Sequence, residues 1–185
     1  MLPPDVSRDV RPATVDDVWA VHRVARQSWH AAYDDVIGPE TVADVVDEWY
    51  AIGDLESSIA TATDRDDAAF LVATDPPAAS PAFEPDYYGF AHAVPWPEDV
   101  SVAFLARLYI RPANWGEGIG TALLEALERA FAAEFDRLRV AVLAANDIGI
   151  SFYESRGFER VATRKSDLAA GLEEHVYEKS VSVDE

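Results

Sequence analysis

The chain has 185 residues, 34 acidic and 15 basic, giving a formal net charge of −19, with 49% hydrophobic residues and no cysteine. That charge repels nucleic acid and anionic membranes, and the lack of cysteine excludes disulfides, thiolate catalysis and Cys-based metal sites. The apolar content and five tryptophans speak against a disordered acidic chain. With no long apolar run and no basic leader, a soluble, untargeted, cytoplasmic protein forming one domain over 1–185 is expected.

Residues 1–9, with Pro3 and Pro4, are expected to fray, as is the tail 182–185. Val10 to Ala13 reads as a short first strand, with Pro12 restricting it to an edge or strand start. Thr14 is a good N-cap with Asp16 and Asp17 behind it, and Val18, Val21, His22, Ala25, Ser28 and Trp29 step along a helix. A second helix is predicted from about Glu40 to Tyr50, with Val42, Val45, Val46 and Trp49 inward.

Asp64 to Asp67 is a solvated turn, Ala68 to Thr74 a strand, and Asp75 to Pro85 a Pro-rich surface loop. In the next strand, Tyr87 to Val94, alternation puts Tyr88, Phe90, His92 and Val94 on one face and Tyr87, Gly89, Ala91 and Ala93 on the other. Pro95-Trp96-Pro97 reads as a loop, and Val102 to Ile110 as a buried strand ended by Pro112. Ile119, Leu123, Ala126, Leu127, Ala130 and Phe131 recur at three- and four-residue steps and form the apolar stripe of a long helix.

Leu138 to Leu143 is a further strand, closed by Asn146. A short helix over Asp147 to Ser155 is terminated by Gly157 as a left-handed cap. Phe158 to Thr163 and His175 to Val181 alternate as a closing antiparallel pair. No internal repeat is present.

Between the central strand and the long helix stand Gly116, Gly118 and Gly120. Alternate glycines admit positive φ and let successive N–H groups converge at the start of a helix, whose unpaired donors and dipole favour an anion. The G-x-G-x-G spacing matches neither the dinucleotide fingerprint nor the P-loop. Read without further context, these glycines fit either a phosphate cradle or an unliganded turn with close helix–strand packing.

The stretch Leu-Tyr-Ile-Arg-Pro-x-x-Trp-Gly-Glu-Gly-Ile-Gly-Thr-Ala-Leu-Leu at 108–124 resembles the acyl-CoA-binding motif of the GNAT superfamily of N-acetyltransferases. In that family the turn carries Gln/Arg-x-x-Gly-x-Gly/Ala, so Trp115 departs from it while Gly118 and Gly120 match. A second stretch, Asn146 to Phe158, is similar to the family signature Asn-x-x-x-x-x-Phe-Tyr-x-x-x-Gly-Phe. Ser28 to Tyr33 with Ile37-Gly38-Pro39-Glu40 also looks like the first-helix segment of small-molecule members.

The resemblance implies an α/β (α+β) GNAT-like fold: a central mixed, mostly antiparallel sheet of six to seven strands, helices on both faces, and splayed fourth and fifth strands. It implies acetyl-CoA as cosubstrate, with no metal. Backbone groups of Leu108, Tyr109 and Ile110 would pair with the pantetheine arm, and the turn of Trp115, Gly116, Glu117, Gly118, Ile119, Gly120 and Thr121 would hold the pyrophosphate. Asn146 would face the cofactor arm, although a helix N-cap accounts for the same residue.

The reaction implied is direct attack of a neutral primary amine on the thioester through a tetrahedral intermediate, with a strand N–H such as that of Ile110 stabilising the oxyanion. By resemblance Tyr153 would protonate the leaving thiolate; plain aromatic packing is its alternative. The family's usual base positions hold Phe104 and Ala141. His92 is the remaining candidate base, alongside a structural strand histidine, Glu98, Asp99 or ordered water. Trp29 and Tyr33 are candidate substrate-binding residues, with Trp49 beside them, unless these aromatics are core.

A small-molecule amine is therefore the expected partner, and the negative field suits a cationic one such as a polyamine or aminoglycoside. The family's frequent dimers leave a homodimer open. Lys165 and Lys179 are the only lysines, and this acidic, Lys-poor composition fits a halophilic source. The competing reading is a non-catalytic acyl-CoA-binding regulatory module, motivated by the missing base residues.

Overall fold

The computed structural model describes residues 8–76 and 84–181; residues 1–7, most of the Pro-rich loop and 182–185 lie outside the described residues, and with them the expectations made for those stretches. Strands β1 (Asp9–Pro12), β2 (Ala69–Thr74), β3 (Tyr87–Trp96), β4 (Asp99–Ile110), β5 (Arg137–Leu143), β6 (Glu159–Lys165) and β7 (Glu173–Ser180) form one sheet in the order β1-β2-β3-β4-β5-β7-β6. Every pairing is antiparallel except β4 with β5.

Helices α1 (Val18–Ile37), α2 (Pro39–Trp49) and α3 (Ile52–Thr63) cover one face of the sheet, and α4 (Ile119–Phe131) and α5 (Asp147–Ser155) the other. The α4 stripe is the centre of the second layer: Leu123, Leu124, Leu127 and Phe131 are at most 1% exposed. Each such side chain contributes about 1.5–3 kcal/mol by burial. Among the described residues no helix is long and apolar enough to cross a membrane.

The first strand begins one residue earlier than its pattern suggests. Asp9 is paired, and Arg8, expected to fray, reaches Glu117 at 2.5 Å. Ile52–Thr63, unassigned from sequence, form α3. Its Gly53 and its Ser/Thr content weaken helix propensity, yet Leu55, Ile59 and Ala62 supply a buried stripe that anchors it.

Pro95 and Trp96 belong to β3 rather than to a loop, because a tight turn at Pro97-Glu98 lets Trp96 pair with Asp99. The predicted alternation fails at the start of β3. A bulge at Tyr88 lets Ala73 pair with Gly89 and Thr74 with Tyr87. Tyr88 therefore packs with the α4 layer, while Tyr87 joins Phe90 on the α1 side.

A second bulge positions the site. On β4, Leu105 pairs with Ala93 and Arg107 with His92, leaving Ala106 unpaired. Leu105 is also the last β4 residue paired with β5, opposite Val140. Past that point β4 stays bonded to β3 as far as Ile110, and β5 to β7 as far as Leu143. The facing edges of β4 and β5 are left bare, because the bulge bends one strand away from the other.

Candidate functional site

Residues 106–110 line the parting. Peptide groups point alternately to the two sides of a strand, and the Arg111 N–H donates to the Tyr88 carbonyl of β3 at 2.7 Å. The peptide groups of Ile110 and Leu108 therefore face away from β3, into the gap. The Ile110 carbonyl is already used, accepting from the Trp115 indole Nε1 at 2.8 Å. Its N–H is left facing the opening.

The glycine turn follows. Gly116 (φ 79°) and Gly118 (φ 83°) are left-handed, and a Cβ at either would meet no atom within 4 Å. Gly118 is the N-cap of α4 with no side-chain cap, so the first N–H groups of that helix open onto the same space. Gly120 serves packing instead: a Cβ there would lie 3.3 Å from the Phe152 ring. The three glycines thus divide between open, left-handed positions and one of close packing. Glu117 points outward and is tied to Asn114 Nδ2 at 2.9 Å and to Arg8.

Asn146 caps a helix and lines the first cleft. Its Oδ1 caps α5 by accepting the Gly149 N–H at 2.9 Å, and its Nδ2 donates to the Tyr33 hydroxyl at 3.0 Å. Tyr153, on α5, is buried edge-on between Phe152 and Phe158, and its hydroxyl has no hydrogen bond among the described residues. Burial, then the neighbouring Tyr109 and Tyr33 phenols, push its pKa well above the ordinary phenol value.

Two clefts meet at this point. The first, about 630 Å³, is walled by the glycine turn, by Leu108 to Ile110, and by Asn146, Phe152 and Tyr153. The second, about 650 Å³, opens on the α1–α3 side and is lined by Trp29, Trp49, Tyr50, His92, Phe104, Arg107 and Ala141, among others. Tyr33 and Tyr109 line both. Trp29 is 4% exposed and donates its Nε1–H to the Tyr50 hydroxyl at 3.0 Å, so it serves core and cleft wall together.

His92 lines the second cleft but is 8% exposed and stacked on Phe70. Burial, reinforced by the Arg107 charge, pushes its pKa down to about 4. Arg107 Nη1 lies 3.3 Å from its Nδ1, which fixes the ring proton on Nε2 and occupies the free lone pair. Glu98 and Asp99 sit at the β3–β4 turn and line neither cleft.

Tyr50 and Arg107 are not apparent from sequence periodicity. Both reach the site through the packing of α2 and α3 over the sheet; the only local signal was an arginine inside an otherwise apolar strand. Burial pushes the Tyr50 phenol up to about 12, and Tyr33 and Tyr109 are raised for the same reason. All the phenols around the gap are therefore protonated donors at neutral pH.

Known proteins are similar to this chain in sequence and fold. A curated relative, the spermidine N(1)-acetyltransferase of Thermoplasma acidophilum, is 28% identical over 164 residues, covering 88% of this chain and 95% of its own. The crystal structure of PaiA N-acetyltransferase from the same organism, in complex with coenzyme A, is 27% identical with a TM-score of 0.76, covering 94% of this chain and 99% of that one. The ribosomal-protein-S18-alanine N-acetyltransferase of Escherichia coli shares the fold at 16% identity, with a TM-score of 0.62 and 97% coverage of both chains. The sequence model of the acetyltransferase (GNAT) family matches residues 40–158. On that match, which takes in the parted strands, the glycine turn and the Asn146–Phe158 segment, the chain belongs to the acetyltransferase (GNAT) family.

Proposed function

We propose that the protein transfers an acetyl group from acetyl-CoA to a primary amine of a small molecule. The observation that carries this reading is the meeting of two clefts at Tyr33 and Tyr109, along strand edges that no other strand covers. One cleft suits a long phosphorylated donor and the other an acceptor, and the thioester belongs where they join. The relatives named for N-acetylation, one of them bound to coenzyme A, support the same assignment.

The donor's diphosphate is assigned to the N–H groups of 116–121 at the start of α4, where left-handed glycines leave room for close approach. Trp115 replaces a polar residue of the family pattern, and its indole is spent on Ile110. Backbone donors therefore carry the phosphate contacts. The Leu108 peptide pairs with the amide arm, and the Ile110 N–H is assigned to the charge that grows on the carbonyl oxygen.

Acetyl-CoA supplies the activated thioester; a neutral amine attacking from the second cleft forms the N–C bond in a tetrahedral intermediate, the C–S bond then breaks, and the proton the amine loses passes through solvent in the open cleft to the departing thiolate. Tyr153 is assigned to the departing sulfur. Its phenol is a weaker acid than a thiol of ordinary pKa ~8.5, so complete proton transfer is uphill, and a hydrogen bond donated to the developing thiolate is its main contribution. His92 at about 4 is a poor base, and it fits better as an Nε2–H donor facing the acceptor.

A non-catalytic acyl-CoA-binding module is the second reading, favoured by Phe104 and Ala141, which put no carboxylate at two points of the second cleft. Calorimetry with acetyl-CoA, followed by thiol release over a panel of amines, separates the two. Binding with turnover supports the transferase, binding without turnover supports the module, and no binding removes both.

A further inference from the structure

We propose that the acceptor is a zwitterion, an amine that also bears a carboxylate, and that Arg107 holds the carboxylate in the second cleft. The proposal rests on the transferase reading for the amine end, but the recognition of the anion stands on Arg107 alone.

Arg107 lies on β4, one residue beyond the Ala106 bulge, and lines the second cleft. Its hydrogen bonds go to neutral acceptors: Nη2 to the Trp49 carbonyl at 3.1 Å, and Nη1 to Ser58 Oγ and His92 Nδ1, both at 3.3 Å. Its guanidinium carbon lies 5.3 Å from the centre of the Tyr50 ring. Among the described residues no carboxylate reaches it. Among the described residues, every other arginine or lysine either forms an ion pair or is exposed.

Scarcity of acid does not explain this, since the chain holds 34 acidic residues against 15 basic ones. A partly desolvated cation without a counter-charge is costly, and a planar guanidinium with free donors matches the planar fork of a carboxylate. The same cleft offers Glu48 and Asp54, neither of which has an ion pair among the described residues, while Glu174 is taken by Arg164 at 2.5 Å. Its walls therefore present one open cation and two open anions. A polyamine would match only the anions.

Arg107 precedes Tyr109, where the clefts meet, by two residues, or ~7 Å along the strand. That separation suits an amine several bonds from its carboxylate, as in an ω-amino side chain, better than an α-amine beside its own carboxylate.

Arg107 also braces the end of α2 and α3 against β4, so the test must separate recognition from bracing. Lysine against 1,5-diaminopentane, and ornithine against 1,4-diaminobutane, are titrated calorimetrically into the protein with and without saturating coenzyme A. The expected result is that at least one amino acid binds tenfold or more tightly than its decarboxylated partner. Arg107→Gln should abolish that preference while leaving coenzyme A affinity unchanged, and Arg107→Lys should retain part of it. Equal binding, a preference for the diamines, binding by neither member of both pairs, or a preference that survives Arg107→Gln overturns the proposal. Because amine binding is read without turnover, loss of acetyl-CoA binding counts against the transferase reading separately.

Discussion

Asn146 and Tyr33, 113 residues apart, are joined by a 3.0 Å hydrogen bond from Nδ2 to the phenol, and this bond links the start of α5 to α1 across the parted strands. The same amide caps α5 through Gly149, where a Cβ would come within 2.7 Å of it. Asn146→Ala removes both contacts. A loss of about 1 kcal/mol of stability is expected from the cap, with a fall in acetyl-transfer rate because Tyr33 lines both clefts. Denaturant unfolding with a steady-state assay checks both, and unchanged values would contradict the linkage.

Gly118→Ala addresses the cradle. At φ 83° an alanine costs about 1–2 kcal/mol of backbone strain, and its methyl would project into open space beside the first helical N–H groups. A rise in the acetyl-CoA dissociation constant of roughly tenfold is expected, equivalent to about 1.4 kcal/mol. Calorimetry measures it, and wild-type affinity in the variant would show that phosphate does not approach this turn.

The pH dependence of His92 follows from its lowered pKa. A histidine near 6.5 when unfolded and about 4 when folded favours the native state fully above 6.5, and that contribution is lost as pH falls toward 4. His92→Gln should therefore show a smaller loss of stability between pH 7 and pH 4 than wild type. Its pH–rate profile should keep any limb near 6.5; disappearance of such a limb would restore His92 as the base.

Asp17 provides the opposite sign. Burial opposes its ionisation, but two Arg11 bonds at 2.8 Å, the Thr14 N–H at 2.7 Å and the Tyr87 hydroxyl at 2.5 Å hold its pKa down to about 2. Its stabilisation is full above the unfolded value of 3.8 and is lost as pH falls through about 2. Asp17→Asn is expected to cost about 2 kcal/mol at pH 7 and progressively less in acid. A difference that stays constant with pH would contradict the charge as its cause.

The individual strands, the long helix and the glycine turn were legible because local pattern dictates them: alternation, a helical stripe and glycine spacing; the mixed sheet with parted strands followed only from the family resemblance. The bulges at Tyr88 and Ala106 were not, since an extra residue in a strand is defined by its partner's register rather than by its own sequence. Helix α3 was hidden by weak propensity and is held by the buried Leu55, Ile59 and Ala62. In the site, residues on the turn and on α5 could be read from contiguous motifs, whereas Tyr50 and Arg107 converge only after α2 and α3 fold over β4.

The acidic surface leads to a salt prediction. With a net charge of −19, self-repulsion is long-ranged at low salt and confined to ~3 Å near 1 M, so the melting temperature should rise as KCl increases from 0.1 M toward 2 M. Full stability at low salt would count against a halophilic adaptation.

The most direct measurement of the central claim is a crystal structure of the protein with coenzyme A. The account predicts diphosphate on the N–H groups of 116–121, the amide arm along Leu108, and the sulfur within ~3.5 Å of the Tyr153 hydroxyl. Coenzyme A bound elsewhere, or a sulfur turned away from Tyr153, would contradict it.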